Sequence, residues 1–212
     1  MPRLPALAPL RLGAALLLAA AGAGAFAADP AWEAYERQDY GLAAKLYEAD
    51  ARRGKRLAQY NYAMMLLRGE AASQDPDEGI AYLRQAAEGG LPQAQYNLGL
   101  LYEKGTLLPK SLTEATAWFL KAARQGHVEA QVDLATQYFL GRGAPQDYGL
   151  AAQWYREAAI GGDAGAQYII ASMYEKGYGV KQDLRLARYW YAQAALQGDV
   201  AAQAKARSLG EP

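Results

Sequence analysis

The sequence predicts an all-α fold, a solenoid of helix-turn-helix repeats with a period of 36 residues. Two observations carry that prediction. An Ala-Gln pair stands at 58–59, 94–95, 130–131, 166–167 and 202–203, and a glycine at Gly54, Gly90, Gly126, Gly162 and Gly198, with no insertion or deletion between them. A fixed period in this range marks a stack of supersecondary units, each too small to bury its own apolar face alone. Inside every period, two apolar stripes recur at helical spacing on either side of a second glycine.

In chain order, the first segment reads as an address. Arg3 and Arg11 give a basic start, Leu12 to Ala23 is an apolar run, and Ala25-Phe26-Ala27 is a small-x-small cleavage site. Residues 1–27 are therefore expected to be a secretory signal peptide cut after Ala27. The run is shorter than the ~20 apolar residues of a membrane span. No cysteine follows it, so lipidation on a cysteine is closed. The expectation is a periplasmic or secreted protein whose mature form does not span the membrane. Taking Arg3 and Arg11 from the 22 basic residues leaves 20 against 22 acidic ones, a net charge of −2. That balance offers no field for nucleic acid or anionic lipid. With no cysteine in the chain, stability has to come from packing.

Residues 28–57 form a partial opening unit. Trp32 and Tyr35 share one helical face, Asp39-Tyr40 reads as a turn, and Leu42, Leu46 and Tyr47 make the second stripe. The first helix is shorter and the turn tighter than in later units, as an N-terminal cap requires. Four full repeats follow at 58–93, 94–129, 130–165 and 166–201. The first helix of each is expected to begin at the Ala-Gln pair. Its buried stripe is Tyr62/Leu98/Leu134/Ile170, Ala63/Gly99/Ala135/Ala171 and Leu66/Tyr102/Tyr138/Tyr174, and Gly69, Gly105, Gly141 and Gly177 end it. The second helix starts at a capping side chain, Asp75, Ser111, Asp147 or Asp183. It carries Tyr82/Trp118/Trp154/Trp190, then Leu83/Phe119/Tyr155/Tyr191, opposite an Ala-Ala pair, and the large aromatics read as knobs for those holes. Residues 202–212 repeat the first half of a unit with more charge and read as a C-terminal cap.

These residues resemble the Sel1-like repeat family, a branch of the tetratricopeptide-type solenoids, in an exported bacterial form. Ala94, Leu98, Gly99, Tyr102 and Gly105 fit A-x-x-x-L-G-x-x-Y-x-x-G. Asp147, Ala151, Trp154, Tyr155, Ala158, Ala159 and Gly162 fit D-x-x-x-A-x-x-W-[YF]-x-x-A-A-x-x-G. The resemblance implies a right-handed α-solenoid and a protein–protein adaptor, with the first helices lining a concave groove. In the first repeat Gly79 replaces Ala and Tyr82 replaces Trp.

Little in the chain points to chemistry. His127, the one histidine, sits in an inter-unit turn in phase with Lys55, Leu91, Asp163 and Asp199, and reads as a solvated residue. No metal site is expected from one histidine and no cysteine, no catalytic residue is assigned, and no cofactor is expected. What remains is surface. On the first helices, the side away from the buried stripe carries Asn61/Asn97/Asp133/Ile169, Met64/Leu100/Thr136/Ser172, Met65/Leu101/Gln137/Met173 and Arg68/Lys104/Leu140/Lys176. Exposed Met and Leu beside amides and cations suggest a binding surface. The expected partner-binding groove is therefore Asn61, Met65, Arg68, Asn97, Leu101, Lys104, Asp133, Gln137, Met173 and Lys176, holding another exported or envelope protein. The alternative is a cell-wall binder, or a β-lactamase-like hydrolase, since cysteine-rich exported relatives are linked to such chemistry. The absence of cysteine and of a nucleophile–base pair counts against it.

Protein isolated from its native host is expected to begin at Ala28. Intact mass measurement checks this, and a mass that includes Met1 to Arg11 would show the segment is retained.

Overall fold

The structure is a computed structural model that describes residues 29–71, 73 and 75–210. The expected signal peptide lies outside the described residues. Within them are eleven α-helices and no strand. They are α1 (Pro30–Glu36), α2 (Tyr40–Arg52), α3 (Arg56–Arg68), α4 (Pro76–Glu88), α5 (Pro92–Lys104) and α6 (Leu112–Ala123). α7 (Val128–Leu140), α8 (Tyr148–Ile160), α9 (Ala164–Lys176), α10 (Leu184–Leu196) and α11 (Val200–Ser208) complete the set.

Each helix begins and ends where local chemistry demands. The side chains of Asp39, Ser111, Asp147 and Asp183 accept from the backbone N–H groups of Leu42, Glu114, Leu150 and Leu186 at 2.9–3.2 Å. Asp75 does the same for Asp77 and Glu78, with Pro76 at the first helical position. Gly69, Gly105, Gly141 and Gly177 close α3, α5, α7 and α9 in the left-handed conformation, with φ between 67 and 75°. That conformation strains any residue with a Cβ. The first helices start two residues upstream of the Ala-Gln pairs rather than at them, at Arg56, Pro92, Val128 and Ala164. The extended residue before each start sets the frame, which leaves the glutamine in the first turn.

The chain divides into two compact units, the first running to Gln85 and the second from Ala86. In the first, α1 is 7 residues long and packs on α2, and α2 packs on α3. Ala31, Ala34, Ala43, Tyr47, Tyr62, Met65 and Leu66 form the core, and Tyr35, Tyr40 and Tyr82 edge it. In the second, consecutive helices from α5 to α11 pack pairwise. Leu98, Leu134 and Ile170 are fully enclosed. On α6 both aromatics of the pair, Trp118 and Phe119, are buried, whereas on α8 and α10 the buried knob is the second residue. Phe119 and Tyr191 are 0% exposed and Tyr155 3%, whereas Trp154 and Trp190 are only half-buried. Adjacent residues point about 100° apart on a helix, and it is the Phe/Tyr row that faces the first helix.

One hydrogen bond recurs at the turns before the four full repeats. Gln59, Gln95, Gln131 and Gln167 are buried, and each donates its amide to a backbone carbonyl eight residues upstream: Ala51, Ala87, Ala123 or Ala159, at 3.4, 3.0, 3.1 and 3.1 Å. Those carbonyls also accept from Gly54, Gly90, Gly126 and Gly162. The other end of the amide differs. Gln95 Oε1 accepts from Gln125 and Gln167 Oε1 from Gln197, at 2.8 and 2.9 Å. Gln131 Oε1 is buried with no hydrogen-bond partner among the described residues. Gly161 stands where Gln125 and Gln197 stand, and a Cβ there would lie 2.6 Å from Val128 Cγ2.

Gly99 and Phe119 make a second close fit, since a Cβ on Gly99 would lie 2.6 Å from the Phe119 ring. Gly99→Ala is expected to cost about 1–3 kcal/mol by overpacking, and Phe119→Ala about 3–5 kcal/mol. In the Phe119→Ala background the first change should cost nothing, because the added methyl then has room and alanine favours helix. Urea unfolding of the double-mutant cycle checks this, and additive losses would mean the two residues do not touch.

Candidate functional site

The candidate surface residues fall into three groups. In the second unit Lys104, Leu140 and Lys176 are exposed, and Lys176 reaches over the Tyr178 ring at 5.8 Å. Asn97, Asp133 and Ile169, with Leu100, Thr136 and Ser172, are half-buried. Leu101, Gln137 and Met173, expected to be exposed, are buried, at 4, 4 and 2% exposure. In the first unit Met65, also expected to be exposed, is 2% exposed and Met64 is 3%. Asn61 and Arg68 are half-buried there, and Arg68 is 4.0 Å from Glu70, which also accepts from the Tyr35 hydroxyl.

The reason for the buried row is that a first helix in a stack is packed from more than one side. Gln137 accepts from Thr116 Oγ1 on α6 at 2.6 Å and donates to Glu103 on α5 at 3.1 Å. Met173 packs with Ala135 and Tyr155 of the preceding repeat, and Met65 with Ala43 and Tyr47 of α2. The stripe facing a helix's own partner accounts for only one of these sides.

Asp133 is held from α5. Its Oδ2 accepts from the Tyr96 hydroxyl at 3.0 Å. Burial, aided by the charges of Glu103 and Glu129, pushes its carboxyl up to about 6 despite that bond. Tyr96 is pushed up as well, mainly by burial and then by Asp133. Its ring lies 4.6 Å from the His127 ring and 5.7 Å from Phe119. His127 is thus not the solvated turn residue its position suggests. Its side chain is 7% exposed, and its Nδ1 accepts from the Ala130 N–H at 3.3 Å, which makes it the cap of α7. Burial lowers its basicity, opposed by Glu129. Nothing local in the sequence announces this, because Tyr96 approaches from α5, at the far end of the same repeat.

Among the described residues no three or more His, Cys, Asp or Glu side chains are grouped so as to hold a metal ion. No described helix is long and apolar enough to cross a membrane. An open cleft of about 570 Å³ beside the start of α10 is lined by Tyr174, Val180, Lys181, Gln182, Asp183, Arg185 and Leu186, none of them a candidate residue. The arrangement can present carboxyl, amide, ammonium and aliphatic groups to a ligand along α5, α7 and α9.

The Sel1 repeat profile matches residues 56–91, 92–127, 128–163 and 164–199. The chain belongs to the Sel1 repeat family. The profile units open where the first helices open, two residues ahead of the Ala-Gln frame. A solved Sel1 repeat protein from Oxalobacter formigenes is 32% identical, over 86% of this chain and 77% of that one, with a TM-score of 0.80. A protective antigen of uropathogenic Escherichia coli strains is 34% identical over 77% of this chain, with a TM-score of 0.73. This chain spans only 35% of that protein's length. Cysteine rich protein B of Helicobacter pylori shares the fold alone, at 19% identity, a TM-score of 0.50, and 62% and 94% of the two chains covered. No curated protein matches the chain. Sel1 repeat proteins are generally protein-interaction scaffolds, and their fold is generally non-catalytic.

The Asp133 environment sets a pH dependence. Its carboxyl binds a proton more tightly in the folded chain, near pH 6, than in the unfolded one, near the ordinary 3.8. Between those values the native state holds more protons, so acidification favours it. Relative to Asp133→Asn, the wild type is expected to gain stability as pH falls from about 6 to about 4. Urea unfolding across that range checks the sign, and parallel profiles would show Asp133 to be solvated.

Proposed function

We propose that the protein is a non-catalytic scaffold of the bacterial cell envelope that holds an extended segment of another exported protein against α5, α7 and α9. A contrast between rows on these helices carries the reading. Core positions barely change from repeat to repeat, as in Leu98, Leu134 and Ile170. The accessible positions change at every step: Asn97, Asp133 and Ile169 in one row, Lys104, Leu140 and Lys176 in another. A ligand whose successive residues differ needs such a graded surface. A merely solvated face has no use for Leu140 at 46% exposure between two lysines.

The division of labour follows from side-chain chemistry. Lys104 and Lys176 meet ligand carboxylates, Leu140 and Leu100 take an apolar side chain, and Asn97 and Asp133 address backbone groups of the ligand. Leu101, Gln137 and Met173 support the surface from beneath. The basic start, apolar run and Ala-Phe-Ala site at residues 1–27 support export.

Capture from an envelope extract of the native host, with the isolated protein as bait, is expected to enrich one exported protein. Lys104→Ala with Leu140→Ala should weaken that complex tenfold or more, about 1.4 kcal/mol, without changing the unfolding midpoint. Retention on purified peptidoglycan with no protein captured would replace this reading with a cell-wall binder, and undiminished affinity in the double variant would move the site off these helices.

A further inference from the structure

The first helices of the later repeats are capped in a common way, with one exception in kind. Asp163 caps α9 by accepting from Ala166 N–H at 2.6 Å, and Asp199 caps α11 by accepting from Ala202 N–H at 2.9 Å. Lys55 and Leu91 make no such side-chain bond. At α7 the acceptor is the imidazole Nδ1 of His127. An aspartate keeps its acceptor oxygens throughout the neutral range. An imidazole keeps its acceptor nitrogen only while it is neutral.

The same atom has a second neighbour. Glu129 Oε2 lies 3.3 Å from His127 Nδ1, the distance at which Ala130 N lies from it. Nδ1 cannot serve both: a bare lone pair accepts from Ala130, and an N–H donates to Glu129. The neutral ring, carrying its proton on Nε2, therefore caps the helix. A proton taken from solvent onto Nδ1 removes the acceptor, creates an ion pair with Glu129, and places a positive charge at the positive end of the helix dipole. We propose that His127 is an acid-sensitive cap, closed when neutral and open when protonated, which controls the first turn of α7 and its seam with α5.

The reach of the device follows from the contacts. The Tyr96 ring rests on His127, and the Tyr96 hydroxyl holds Asp133, so the cap and the central carboxyl of the candidate surface share one α5 side chain. The charged groups on the helices around the ring come from four helices. α7 supplies Glu129 and Asp133, and α5 supplies Glu103. α6 ends in Lys121, drawn over the Trp118 ring at 3.5 Å, and in the exposed Arg124. From α8, Glu157 lies 3.8 Å from Arg156. Glu129 is the one ion-pair partner of His127 among the described residues. Glu129 and the face of Tyr96 favour the cation, while burial and the helix N-terminus oppose it. The opposition wins, since the ring's basicity is depressed. The sign follows. The neutral ring stabilises the fold above the ordinary histidine value of 6.5, and that contribution is lost as pH falls below it. Asp133 works in the opposite sense over the lower part of this range, so the two must be separated in any measurement.

A single histidine makes the test direct. The protein, prepared without a histidine tag, gives one imidazole signal, followed by NMR from pH 8 to pH 5 together with the exchange protection of the Ala130 amide. The expected titration midpoint lies below 6.5, and Ala130 protection falls at least tenfold with the same midpoint. In Asp133→Asn the unfolding midpoint should fall with acidification, and adding His127→Asn, whose amide oxygen caps without titrating, should abolish that fall. Glu129→Gln should lower the imidazole midpoint further. A midpoint at or above 6.5, an Ala130 amide indifferent to it, or an unchanged acid loss in the His127→Asn background would each overturn the proposal.

Discussion

The repeat depends on one backbone carbonyl near the end of each second helix. Ala51, Ala87, Ala123 and Ala159 each offer an oxygen in the last turn, where helices leave acceptors without intrahelical donors. Two donors arrive at that oxygen from beyond the turn, the N–H of the closing glycine and the amide of the buried glutamine. The glycine bends the chain and the glutamine ties the next first helix to the helix just finished. Leaving such a buried amide unpaired costs about 1–3 kcal/mol, comparable to the packing of one aliphatic side chain.

Most of the fold was legible in the sequence, because period and punctuation are local. The capping oxygens of Ser111, Asp147 and Asp183 and the left-handed glycines after the first helices act within a few residues of where they are written. The Ala-Gln pair was visible too, but only as a mark of register. Its bond runs to a carbonyl, and a carbonyl has no letter of its own. The surface was harder to read. One helical stripe was assigned to the interior, whereas Leu101, Gln137 and Met173 are enclosed by neighbouring repeats. Their spacing from the first stripe looks solvent-facing unless the second packing direction is known. His127 misled for the same reason, since its partner Tyr96 is remote in sequence.

Departures from the common pattern gather on one helix. α7 carries the imidazole cap, the half-buried Asp133 and the glutamine whose Oε1 has no hydrogen-bond partner. All three lie in its first half. At α9 the equivalent groups are better satisfied: Asp163 caps the helix at 2.6 Å, and Gln197 completes Gln167. Local stability in a stack is set by such terms, turn by turn. The first half of α7 is therefore less fully hydrogen-bonded than the first half of α9.

A chain that repeats itself every 36 residues faces a hazard that ordinary folds do not. A helix docked one repeat out of place finds familiar caps and a familiar glutamine waiting. Gly99 and Phe119 make one place in the stack unlike the others. In the pose Phe119 holds, its ring occupies the space a Cβ would need, and the corresponding positions on α7 and α9 are Ala135 and Ala171. One missing methyl group thus makes the room that the Phe119 ring fills, and marks the pair of α5 and α6 as unlike the pairs that follow.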